Sequence, residues 1–208
     1  MIGVTVVAFI VSCKSRNRDK QLQFITYYIS ASLLIDCISI YYELFLPNAK
    51  NESISISIFM LFEITIFFIY IKNNINNVKL KMTIKTLFIS FLILVFCIGI
   101  NYSSLCYRSN SWLPVIESLF LIIPCFFYFF ELFISHKIIL KNHSSFWVVT
   151  GILFYNCCSI PIYLLSEYIL KNMPSYFNIV FSLNYILYTI LFLLFIKAYL
   201  CKKEATSY

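Results

Sequence analysis

Asp36 and Glu63 each lie near the centre of a long hydrophobic stretch, Leu22–Leu46 and Ile54–Ile71, with no Lys or Arg inside either stretch to neutralise them. Only the polar turn 47–53 separates the two stretches. At about 1.5 Å of rise per helical residue, each is long enough or nearly so to cross a bilayer. An antiparallel hairpin would bring both carboxyls within roughly 5 Å of the membrane midplane. An unpaired carboxylate is too costly there. The acids must be protonated, hydrogen-bonded to other helices, or opposite a bound cation.

Further polar residues recur at helical spacing. Ser32, Asp36, Ser39 and Glu43 form one stripe; Glu117, Pro124 and Glu131, spaced by sevens with Tyr128 on the same face, form a second; Asn156, Ser159, Tyr163 and Glu167 form a third. By helical rise, Asp36, Glu63, Pro124, Asn156 and Thr189 fall close to mid-bilayer. The candidate intramembrane polar layer is Asp36, Glu43, Glu63, Glu117, Glu131 and Asn156, inside a bundle whose aromatic surfaces, Phe67 included, face lipid. Two chemistries suit such a layer. One is a proton or cation path through Asp36 and Glu63, reached from Glu43 and Glu117 and left near Glu131. The other is structural, with protonated carboxyls and amides joining helices at about 0.5–2 kcal/mol per bond. Only three glycines occur, which favours the structural reading, because broken transporter helices usually draw on more.

The segments that would hold these residues are 1–13, 22–46, 54–71, 83–100, 113–135, 146–165 and 179–200. Thirteen of the sixteen Lys and Arg lie at one set of alternate connections, and Lys50, Arg108 and Lys171 occupy the other. This positive-inside pattern predicts seven crossings, with the N-terminus outside and the C-terminus cytoplasmic. Trp112 and Trp147 sit at segment edges, where interfacial aromatics belong, and Pro124 and Pro161 should kink the fifth and sixth helices. The first segment is short. Its basic run follows the apolar stretch, the reverse of a secretory signal, and the lipoprotein-like Ile10-Val11-Ser12-Cys13 lacks the basic start such a signal needs.

The composition agrees: 61% of the 208 residues are hydrophobic and 12% charged, with a mean hydropathy of +0.86. No connection is long enough for a folded soluble domain, so residues 1–208 read as one integral membrane unit. The net charge of +7 is topological and implies no nucleic-acid partner. The eight cysteines, mostly inside apolar segments and without a C-x-x-C pair, imply neither a disulfide framework nor a zinc site. No H-E-x-x-H, G-x-S-x-G or glycine-rich phosphate loop occurs, so no enzymatic chemistry and no cofactor are expected. His136, Lys137, Lys141 and His143 read as a basic turn near anionic headgroups. A retinal-binding lysine midway along the last helix is missing, as are the receptor signatures D-R-Y and N-P-x-x-Y.

Three runs carry a resemblance: Ile58–Glu63 with Phe67-Phe68, Trp112–Glu117, and Phe146–Asn156. They resemble bacterial multi-pass membrane proteins without an assigned activity, which are in turn similar to the membrane half of sensor histidine kinases lacking the cytoplasmic part. The resemblance implies an all-α polytopic bundle in the inner (plasma) membrane. It also implies a non-enzymatic sensory or accessory role through a membrane or cytoplasmic signalling partner or a second copy of the chain. The alternative is a small proton- or cation-coupled carrier or channel using the intramembrane carboxylates.

Overall fold

The computed structural model describes residues 2–15, 21–45, 49–101, 112–134 and 143–201. Among them the chain is all-helical: α1 (Ile2–Ser15), α2 (Leu22–Phe45), α3 (Ala49–Asn74), α4 (Val78–Asn101), α5 (Trp112–Ile134), α6 (Ser144–Asn172) and α7 (Pro174–Leu200). Long runs of Ile, Leu and Phe leave the backbone no polar partner but itself, and a helix satisfies every N–H and C=O within one segment. Five of these helices, α2 and α4 to α7, are long and apolar enough to cross a membrane. The protein is therefore a helical membrane protein. α3 is 26 residues long and carries Glu63, and α1 is a shorter apolar helix.

Several helices outrun the segments expected from hydropathy. α3, α4 and α7 each start about five residues early, and α6 continues to Asn172. The expected polar connection before the last segment is helical except at Met173, where Pro174 opens α7. Proline suits that first position because its missing N–H has no helical partner there anyway. Pro124 and Pro161 both lie inside continuous helices.

The helices close into a ring. α1 packs on α2, α2 on α3, α3 on α5, α5 on α6, α6 on α7, and α7 returns to α1. α4 stands outside it, against α3 and α5. Phe88 meets Phe68 of α3, and Phe91 meets Phe120 of α5, at centroid separations of 5.3 and 5.4 Å. α1 is a full member of the ring: Thr5, Ala8 and Ser12, one small-residue face, are completely buried. Small residues let helix backbones approach where lipid supplies no hydrophobic drive for association. Gly151 plays the same part between α6 and α7, where a Cβ would sit 3.2 Å from Leu191 Cδ1 and 3.3 Å from Leu194 Cβ.

The expectation of outward-facing aromatics is corrected here. Phe67 is fully buried, and Tyr28, Tyr70, Tyr199, Phe91, Phe192 and Phe195 are among the largest wholly enclosed side chains. Tyr28 contacts Phe67 at 4.7 Å, Phe195 at 6.0 Å and Phe192 at 6.3 Å between centroids. Such pairs add about 0.5–1.5 kcal/mol each beyond their buried area. The reason is geometric: rings fill the interior of a ring of helices better than short chains do. Many other aromatics, such as Phe126, Phe130 and Phe133, do face outward.

Candidate functional site

The polar residues of the interior gather along one side of this aromatic plug. Ser32 is buried on α2, one helical turn beyond Tyr28. Its hydroxyl is 2.7 Å from that of Tyr188 on α7. The Tyr188 oxygen is 3.5 Å from the Tyr28 hydroxyl, which donates to Glu63 Oε1 on α3 at 3.2 Å. Three helices are thus joined by a chain of hydroxyls ending on a carboxyl. Tyr155 of α6 lies edge-on to Tyr188 at 5.8 Å.

A second polar group adjoins the first. Glu117 on α5 is only 8% exposed and lies within electrostatic reach of Glu63. Tyr163 of α6 is within reach of both acids and accepts a hydrogen bond from Asn184 Nδ2 of α7 at 3.2 Å. Glu117 Oε1 and Asn184 Oδ1 are buried acceptors without a hydrogen-bond partner. No three His, Cys, Asp or Glu side chains converge among the described residues.

Asp36 and Glu63 have separate partners. Asp36 is half-buried, and its Oδ2 stands 3.2 Å from the hydroxyl of Thr5 on α1. No hydrogen bond joins the two acids; Glu63 instead shares its surroundings with Glu117. Glu131 sits elsewhere again, at the turn between α3 and α4. Its Oε1 accepts from Asn76 N–H at 2.7 Å and its Oε2 from Asn77 N–H at 3.3 Å. Asn77 Oδ1 in turn accepts from Lys79 N–H at 3.0 Å and caps α4. A carboxylate holding two backbone donors ahead of a helix start is well placed electrostatically.

Asn156 is buried at 2% exposure, and its Nδ2 donates to the Ile152 carbonyl of its own helix. Ser159, fully buried, does likewise toward the Asn156 carbonyl. Pro124 and Tyr128 are buried on the same face of α5 as Glu117, as their spacing requires. Thr189 stays outside the cluster and bonds its own backbone at Tyr185; its neighbour Tyr188 enters instead. The side chains of Glu43 and Glu167, and the turn containing His136, Lys137 and Lys141, lie outside the described residues. His143 is the N-cap residue of α6.

Sequence reasoning missed Tyr28, Tyr188, Tyr155 and Asn184. Tyr28 and Ser32 are spaced by four, so extending the acid-bearing stripe of α2 one turn back would have found Tyr28. An open groove of about 410 Å³ on α4, lined by Met82, Thr83, Thr86, Leu87 and Ser90, is separate from this site. Its three hydroxyls all bond backbone carbonyls of α4 itself.

Distances along the helices place Asp36 and Glu117 at a different depth from the plug, whose edge Glu63 meets through Tyr28. Phe195 is near the last residues of α7, and Tyr28 is near the start of α2. Asp36 is eight residues further along α2, about 12 Å beyond Tyr28 by helical rise, and Glu117 lies in the first turns of α5. A buried tyrosine latch closes the plug end: Tyr199 Oη is 2.8 Å from Thr26 Oγ1 and donates to the Leu22 carbonyl at 3.0 Å. Comparison with protein-family models, with curated proteins and with solved structures finds no match.

Proposed function

We propose that this protein is a non-enzymatic sensory or accessory module of the plasma membrane, crossing it seven times with its N-terminus outside, and acting through a partner protein. The observation that carries the reading is the division of the interior along its length. In the proposed orientation the acids Asp36 and Glu117 lie toward the outer half. The packed rings of Tyr28, Phe67, Phe192 and Phe195 fill the inner half. Polar groups in the proposed outer half, sealed off below by packed rings, suit detection better than conduction. Charge distribution supports the orientation, with Lys197 Nζ lying 5.8 Å from the centre of the Trp147 ring at the proposed inner face.

Two measurements test this reading. Purified protein in proteoliposomes should pass neither protons nor alkali cations faster than empty vesicles. A photoreactive amino acid at Val78, exposed on α4 beside the proposed cytoplasmic turn, should give one discrete cross-linked partner in cells. Flux that disappears in Glu63→Gln would favour the second reading, a small proton- or cation-coupled carrier. The partnerless buried acceptors of Glu117 and Asn184 support that second reading.

A further inference from the structure

α4 leaves one face uncovered. The helix stands outside the ring and is the least buried of the five candidate spans. The open groove of about 410 Å³ runs along that face. Its five lining residues follow Lys79 by 3, 4, 7, 8 and 11 positions, so Lys79 stands on the same helical stripe, at the foot of the groove. On this stripe the small side chains of Thr83, Thr86 and Ser90 form the floor, and Met82 and Leu87 flank it. The three hydroxyls donate to the carbonyls of Lys79, Met82 and Leu87 at 3.1, 2.8 and 2.8 Å. With those donors spent on the helix itself, a hydrocarbon chain can cover the floor without stranding a polar hydrogen.

Charge and length name the occupant. Lys72 in the last turn of α3 and Lys79, Lys81 and Lys85 in the first turns of α4 gather at one end of the groove. The acid at that turn, Glu131, already holds the N–H groups of Asn76 and Asn77. From Lys79 to Ser90 the helix rises about 16 Å, against about 15 Å for the hydrocarbon of one leaflet. We propose that this face of α4 binds one anionic phospholipid, its headgroup phosphate on Lys79 and one acyl chain lying in the groove as far as Ser90. A second copy of the chain suits the face less well. Two chains inserted in the same sense and paired here would set Lys79 against its own copy. The inference goes beyond the proposed function, and it holds in either orientation and with or without a protein partner.

The test titrates the full chain, in mild detergent, with dioleoyl phosphatidylglycerol or dioleoyl phosphatidylcholine and counts bound lipid by native mass spectrometry. One phosphatidylglycerol per chain should be retained at ratios where phosphatidylcholine is not. Lys79→Gln should weaken that binding about fivefold, the effect of one lysine charge near an anionic headgroup. Lys85→Gln removes an equal charge about 120° round the helix and should leave binding nearly unchanged. Thr86→Leu fills the groove without altering charge and should weaken binding as well. All three positions are exposed, so the variants should keep the wild-type thermal transition; the wild-type comparison of the two lipids stands without them. Equal retention of both lipids overturns the proposal. So do equal losses in Lys79→Gln and Lys85→Gln, which would mean diffuse attraction, and undiminished binding in Thr86→Leu, which would mean an empty groove. Displacement by millimolar glycerol phosphate would give the site to the phosphate alone and overturn the lipid. A Ser90→Cys variant that cross-links into dimers and retains no lipid would give the face to a second copy.

Discussion

Tyr28 on α2 donates its hydroxyl to Glu63 on α3 at 3.2 Å, and this bond ties the aromatic plug to the acids of the interior. Tyr28 belongs to both worlds, its ring packed against Phe67 and its oxygen near Tyr188. Tyr28→Phe keeps the ring and removes the donor, leaving a buried carboxyl without its hydrogen bond. The expected loss is about 1–3 kcal/mol. Ser32→Ala, which removes one end of the same chain, should cost less, about 0.5–1.5 kcal/mol. Equilibrium unfolding in mixed micelles measures both, and equal losses would mean that Glu63 does not depend on Tyr28.

Glu131 holds the turn between α3 and α4 through the N–H groups of Asn76 and Asn77. Glu131→Ala releases both donors and should speed amide exchange over residues 75–79 while leaving exchange in α6 and α7 unchanged. Glu131→Gln retains an acceptor and should show the smaller effect. Hydrogen-exchange mass spectrometry of the two variants is the check. Unaltered exchange at the turn in Glu131→Ala would remove the clasp.

Some of this was legible in the sequence, and physics says why. Polar and charged groups are so costly to expose to hydrocarbon that Glu117, Asn156 and Ser159 could be assigned to the interior from spacing, and all three are buried. The aromatics gave no such signal. Phe67 is apolar enough for lipid or for a core, and a membrane helix has no polar outer face to set the two apart. Tyr28 and Tyr188 join the site through one hydroxyl each, which hydropathy does not register. The turn 75–77 was recognisable as polar, but its partner Glu131 lies more than fifty residues away, and no local pattern joins them. The helix extensions at α6 and α7 hid behind Lys171, Asn172 and Pro174, residues that read as a loop until proline is seen to occupy a first helical position.

Gly151 lies where α6 packs tightly against Leu191 and Leu194 of α7. Gly151→Ala places a methyl group 3.2–3.3 Å from Leu191 and Leu194, so a small shift absorbs it. Gly151→Leu has no such room and should cost about 1–3 kcal/mol through overpacking. Thermal stability in detergent should fall in the order Gly, Ala, Leu. A Leu variant as stable as wild type would mean that the two helices are not held this tightly.

The proposed orientation has a direct test in reporter fusions. A reporter active only in the cytoplasm should work after Tyr208 and within 73–77, and stay silent within 48–52 and 103–110. Activity at 103–110 would place that connection inside and reverse the assignment of its neighbours. The shortest helix, α1, would then be the first crossing to reconsider.

Thr5 and Asp36 offer a sharper test of how the two central acids are used. If the acids serve different neighbours, energetic coupling should follow the hydrogen bonds rather than the hydropathy-based hairpin. Thr5 of α1 stands 3.2 Å from Asp36, whereas Glu63 is served by Tyr28. Contacting residues show interaction energies of about 0.5–3 kcal/mol in double-mutant cycles, and residues without shared partners add within about 0.5 kcal/mol. Thr5→Val with Asp36→Leu should therefore be non-additive, as should Tyr28→Phe with Glu63→Leu. Asp36→Leu with Glu63→Leu should come closer to additive, any remaining coupling passing through Tyr188, which is within electrostatic reach of both acids. Asp36→Asn should be milder than Asp36→Leu, because an amide still offers a partner to the Thr5 hydroxyl. Unfolding free energies for the singles and doubles in one detergent decide the question. Strong coupling between Asp36 and Glu63, with none between Thr5 and Asp36, would place the acids face to face and α1 elsewhere in the bundle.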